Sequence, residues 1–164
     1  MSTSVIDGNL RVQGTLSPSV ISLPANSVNN ASIVASAGVS ASKVQQQRNI
    51  QYGQVIGSAA AAANIPVFRC NGVTGEIKSV KASLVTIPSG DKTVTVDVKK
   101  NGTTVLSSTI QLDSGNTTLV AEAGTLSVTS LAAGDILTVV VTTGGSTGTN
   151  PDGLLVNIVV EEDP

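Results

Sequence analysis

Polar and apolar residues alternate without a break along Thr93-Val94-Thr95-Val96-Asp97-Val98-Lys99, the period of a strand with one face buried. Lys100-Asn101-Gly102 follows as a hairpin turn signal, and Thr104 to Leu112 forms the returning run. Parity selects the turn. A two-residue Asn-Gly loop sets Val98 opposite Val105 and places Leu106, Ile110 and Leu112 on the face of Thr95 and Asp97. A three-residue loop, Lys100 to Gly102 with Gly102 as a left-handed bulge, sets Val96 opposite Leu106. It gathers Val94, Val96, Val98, Leu106, Ile110 and Leu112 on one face. A slip of one residue moves every side chain to the other face, so the three-residue loop is expected.

The same pattern recurs along the chain. Glu76 to Ile87 puts Val80, Ala82 and Leu84 on one face and ends at the turn Pro88-Ser89-Gly90-Asp91. Asp113-Ser114-Gly115-Asn116 closes the run at Leu112, Thr125 to Leu131 alternates through Leu126 and Val128, and Ala132-Ala133-Gly134-Asp135 turns into Ile136 to Thr142. That run is almost wholly apolar, as in a strand covered on both faces or one whose outer face meets another subunit. Gly/Thr-rich residues 143–153 read as a loop, with Gly144 to Gly148 as its flexible tip. In the last run Leu154, Val156, Ile158 and Val160 share one face, and Leu155 and Val159 lie on the other. Seven or eight short strands with regular turn signals and no βαβ unit predict an all-β fold. Its expected form is an antiparallel, jelly-roll-like β-sandwich over residues 67–164.

Two segments precede it. Residues 45–66 read as a connector. Gln45-Gln46-Gln47 opens a polar stretch that fits a short helix or an extended segment, and the alanines from Ala59 to Ala63, between Gly57 and Pro66, allow one helical turn. Residues 1–44 read as an extended N-terminal arm. From Val12 to Ser42, 31 residues, there is no charged side chain. Pro18 and Pro24 oppose a continuous helix, and the apolar spacing fits neither 3.6 nor 2. Leu10, Val12, Leu16, Val20, Ile21, Leu23, Val28, Ile33, Val34, Val39 and Val44 are too dispersed to form a core of their own. Lack of charge and high β-branched content argue against a disordered tail. Burial by other chains is the expected solution, in a trimer or along a larger protein surface. Each Val or Ile covered contributes roughly 1.5–3 kcal/mol before ordering costs. These eleven residues are the candidate interface.

Composition narrows the chemistry. Nine Lys and Arg against eleven Asp and Glu, with no basic cluster, do not suit nucleic acid. Tyr52 and Phe68 are the only aromatics, too few for base or sugar stacking. Histidine is absent, which removes the commonest general base and transition-metal ligand. Cys70 stands alone and reads as a small buried apolar residue; a fold without disulfides fits assembly in a reducing cytoplasm. The acidic residues are scattered. Asp91, Asp113, Asp135 and Asp152 adjoin turn glycines or lie close to them, and Glu161-Glu162-Asp163 reads as a solvated cluster. Asn150-Pro151-Asp152-Gly153 is the nearest approach to a calcium loop, and a turn explains it better. Gly144-Gly145-Ser146-Thr147-Gly148 lacks the ending of a phosphate-binding loop. The opening MSTSVIDGNLRVQG has no basic-then-apolar leader, and no apolar run is long enough to span a bilayer. No catalytic residue, cofactor, metal site, membrane or nucleic-acid partner is expected.

The order "ASIVASAGVSASKVQQQ", "GSAAAAANIPVFRC", "VTVDVKKNGTTVLSSTIQLDSGNT", "LAAGDILTVVV" and "GLLVNIVVEED" resembles decoration or head-fibre proteins of tailed bacteriophages. The resemblance covers most of the chain, and its motifs are structural rather than chemical. It implies a non-enzymatic virion structural protein, a homotrimer bound to the major capsid protein on the capsid exterior and assembled in the host cytoplasm. The arm would anchor to capsid, form the trimer, or both. The alternative is a surface or fibre-tip module recognising a host glycan or protein through its β-domain loops.

Overall fold

The computed structural model describes residues 45–163. Ten strands form among them: β1 (Gln46–Gly53), β2 (Ala63–Arg69), β3 (Thr74–Ser83), β4 (Thr93–Lys100), β5 (Thr103–Thr104), β6 (Ile110–Leu112), β7 (Glu122–Ala123), β8 (Ser130–Ala132), β9 (Ile136–Gly144) and β10 (Leu155–Asp163). One sheet runs β1-β10-β3, with β7 and β8 both on β3; the other runs β2-β9-β4, with β5 and β6 both on β4. Every pairing is antiparallel. Taken as broken single rows, β5/β6 and β7/β8 reduce the sheets to rows 1-8-3-6 and 2-7-4-5 in chain order. That alternation between two sheets is the strand order of a jelly roll, as the turn spacing led us to expect.

The core is aliphatic. Ile77, Val80, Ala82, Val156, Ile158 and Val160 from one sheet are fully buried, as are Val94, Val96, Val98, Leu137, Val139 and Val141 from the other. Ile77 and Val80 stand at opposite parity, yet both are buried because the pairing steps from Val159↔Ser79 to Val160↔Ile77 and leaves Lys78 as a bulge. Pro66 is tolerated in β2 because β2 is an edge strand. Cys70 is buried, as expected.

Two expectations need correction, and a third is narrowed. The hairpin loop after β4 has two residues, since Lys100 pairs with Thr103 and Lys99 with Thr104. Asn101 and Gly102 both take positive φ, 49° and 88°, as a type I′ turn requires. The parity conflict is relieved further on. Val105 donates its N–H to Val98 O at 2.8 Å, whereas Ile110 pairs with Val96 and Leu112 with Val94. The strand therefore breaks between Leu106 and Thr109, and both Val105 and Leu106 end up buried. Residues 45–66 are not a connector: β1 lies along β10 from Gln46↔Glu162 to Gly53↔Leu155, and β2 begins at Ala63. Ile136 to Thr142 is not covered on both faces within the chain: Leu137, Val139 and Val141 are buried, while Ile136 is 40% exposed.

The register also sorts the connections. β1–β2, β3–β4, β6–β7 and β9–β10 cross at one end, the loop end. The start of β1, the finish of β10 and the β2–β3, β4–β5 and β8–β9 turns lie at the other, the root end.

Candidate functional site

Every arm residue of the expected interface lies outside the described residues: Leu10, Val12, Leu16, Val20, Ile21, Leu23, Val28, Ile33, Val34, Val39 and Val44. What is described is the place where residue 45 joins the sandwich, and it is built around one carboxylate. Period-two alternation carries β10 through Val156, Ile158 and Val160 to Glu162, so Glu162 points inward and is only 3% exposed. Its Oε1 accepts the backbone N–H groups of Asn71 at 2.7 Å and Gly72 at 3.1 Å. Its other oxygen meets the Arg48 guanidinium, which β1 delivers across the ladder. Beside it, Gln45 Nε2 donates to Asp163 Oδ1 at 3.1 Å, and Thr74 donates its hydroxyl to Asp163 Oδ2 at 3.1 Å. Gly72 is required there, because a Cβ would sit 2.3 Å from the Asp163 carbonyl oxygen.

Burial pushes the Glu162 carboxyl up, but the Asn71 and Gly72 N–H groups and Arg48 outweigh it and hold the group below its usual range. The neighbouring Cys70 thiol is pushed up, by burial first and by the Glu162 charge second. A thiol held protonated is a poor nucleophile, and the contacts of this corner tie β1, β10 and the β2–β3 turn together. An open hollow of about 150 Å³, room for several waters, lies between Gln46, Arg48, Asn71, Gly72, Glu162 and Asp163. Sequence reasoning placed Glu162 in a solvated cluster. The signal it overlooked was that Glu162 shares parity with the three apolar residues before it.

The loop end has a different character. Val55 is 73% exposed, Ile56 67%, Leu119 70% and Val120 51%. Residues 54–62 carry no charge. Gln54 folds its amide back: it accepts from Ala61 N at 2.9 Å and donates to Ala61 O at 2.7 Å and to the Tyr52 hydroxyl at 3.0 Å. An open hollow of about 360 Å³ lies over these residues, lined by Tyr52, Gly53, Gln54, Val55, Ser58 and four alanines. The Gly/Thr-rich segment expected to be a flexible tip is laced to the β3–β4 turn. Asp91 accepts the N–H groups of Thr147 at 2.6 Å and Ser146 at 2.9 Å. With the Thr147 and Ser146 hydroxyls, these donors hold its carboxyl down at about 2. Asp152 bridges by its backbone to Ala59 and to Thr86.

All four ion pairs found among the described residues belong to the root half: Arg48–Glu162, Lys78–Glu76, Lys78–Glu161 and Lys100–Asp135. Among the described residues no group of three His, Cys, Asp or Glu comes together to hold a metal, and no helix is long and apolar enough to cross a membrane. The structure thus offers a clamped root and an apolar loop end. No family model matches the sequence, and no curated protein matches it.

Proposed function

We propose that this chain is a non-enzymatic virion structural protein, a trimeric decoration or fibre protein held on the outer surface of a phage capsid through residues 1–44. The observation that carries the reading is the join. A charge-free stretch of 31 residues leads into a strand whose first turn of contacts is fixed by a buried carboxylate, two backbone N–H groups and an arginine. An anchor works only if its pull reaches a folded body, and the Glu162 clamp supplies that link. The jelly-roll order puts four loops at the end away from the join, where a surface-mounted protein would present them. Three arms acting together raise affinity through effective concentration.

Co-sedimentation of the full chain with assembled phage shells tests this. The unaltered protein pellets with shells. The variant I33D/V34D, which places two charges in the charge-free stretch, stays in the supernatant while its circular dichroism keeps the sandwich signature. Equal pelleting of the two would overturn the anchoring role. The alternative, a module that binds a host glycan or protein, draws support from the exposed Val55, Ile56, Leu119 and Val120. A glycan or host-protein array with saturable hits on the isolated protein would favour it.

A further inference from the structure

Two apolar features of the loop end lie on opposite edges of the sandwich. The first is a knob. Leu119 sits at φ 60°, a conformation unfavourable for a non-glycine residue by roughly 1–2 kcal/mol. It is kept there by its own N–H donating to Leu84 O at 2.9 Å and by the Val120 N–H donating to Thr117 O at 3.1 Å. Leu119 and Val120 project, 70% and 51% exposed. The second is the 360 Å³ hollow over Tyr52, Val55, Ala59, Ala61, Ala62 and Ala63. Its most adaptable polar side chain, Gln54, is consumed by Ala61 and Tyr52. Ser58 is the polar lining side chain that remains beside it, and the valine and alanine surface suits an apolar side chain. Neither the knob segment 117–121 nor the hollow segment 54–63 holds a charged residue, so no desolvated charge opposes contact.

Topology places the two on opposite edges of the sandwich. The hollow belongs to the β1–β2 connection, and β1 and β2 are the outer strands on one side of their sheets. The knob belongs to the β6–β7 connection, whose strands are the outer ones on the other side. A knob on one edge and a hole on the other make a heterologous contact, which repeats around a ring or along a filament. We propose that this hollow receives Leu119 and Val120 of a second copy of this chain, and that this contact closes the sandwich domains into a ring. The proposal rests on the oligomeric part of the function proposed above, and names the surface through which the folded bodies, as distinct from the arms, touch.

Cysteine pairing in the full-length chain tests it. L119C and A61C are made singly and together and oxidised under mild conditions, with the mass of each sample followed by light scattering. An equal mixture of the two single variants gives covalent dimer at least tenfold above either variant alone, and the double variant gives covalent closed oligomers. No dimer in the mixture overturns the contact. Dimer from L119C alone also overturns it, since tip would then meet tip. If cross-links fail while the scattering mass stays at several chains, this surface belongs to a partner other than the chain itself, and the oligomeric reading survives. If the mass falls to one chain in the unaltered protein, both fail together.

Discussion

Removal of the Glu162 side chain is the perturbation whose cost follows most directly from the structure. Glu162→Ala strips the acceptor from the N–H groups of Asn71 and Gly72 and leaves Arg48 without its partner. A hydrogen bond to a charged group is worth about 1.5–3 kcal/mol, so the two bonds set a ceiling near 3–6 kcal/mol. Asn71 is exposed and Gly72 half-buried, so water replaces part of what is lost. The Arg48 side chain is 48% exposed, and its pairing adds no more than about 1 kcal/mol. The net cost comes to about 2–4 kcal/mol. Glu162→Gln keeps the acceptor but not the charge, and costs about half as much. Urea unfolding of the full chain, at one fixed protein concentration because oligomers stabilise by mass action, reads both. With a slope of about 2 kcal/mol per molar urea, the alanine variant shifts the midpoint down by about 1–2 M and the glutamine variant by about half that. The carboxyl is held below its usual 4.5 in the folded chain. Its contribution is therefore complete above that value and is lost as the pH falls toward the folded-state value. The gap between the unaltered protein and Glu162→Gln accordingly closes with acid. A midpoint for Glu162→Ala within about 0.3 M of the unaltered protein at pH 7 would refute the clamp.

Asp91 is lowered from 3.8 to about 2 by the Thr147 and Ser146 donors, so its contribution is present above pH 4 and fades between about pH 4 and 2; Asp91→Asn flattens the pH-stability profile in that window, read by thermal melts at successive pH values. Gly102→Ala meets no atom within 4 Å and costs only the left-handed strain, roughly 1–2 kcal/mol. Gly145→Ala adds a Cβ 2.1 Å from the Asp91 carbonyl oxygen at φ 81° and lowers the melting temperature at least twice as far. Leu137→Ala, at a fully buried position, costs about 2–5 kcal/mol. Val140→Ala, half-buried on the outer face of the same strand, costs under about 1 kcal/mol in urea unfolding if no subunit covers that face, and more if one does.

Periodicity made the architecture readable. β4, β9 and β10 each show the alternation that the burial pattern repeats, and the turn signals at Gly90, Asp113 and Gly134 fall between strands. What escaped the sequence was whatever depends on a break in period. Bulging at Lys78 lets Ile77 and Val80 share a face, and the rupture after Leu106 reconciles a two-residue turn with a continuous apolar face. Thr125 to Leu131 reads as one strand but is cut to β8, with Leu126 held by a single bridge to Leu106. β1 escaped for another reason. Its alternation is there, Ile50 and Tyr52 packing against the core, but Gln46 and Arg48 occupy the remaining inward positions, and a polar residue on a core face looks like a loop until its buried partner is known. That partner is Glu162, so the connector and the acidic cluster were misjudged together, each concealing the other. The exposed knob at Leu119 has no sequence signature, because leucine carries no mark of positive φ.

The central claim is that the apolar groups of residues 1–44 are covered by neighbouring chains. Light scattering of the full chain during size-exclusion chromatography, across a dilution series, addresses it in one measurement. The account predicts a mass near three times the 16.4 kDa of one chain, unchanged over the series. A mass of 16.4 kDa at every concentration would contradict it.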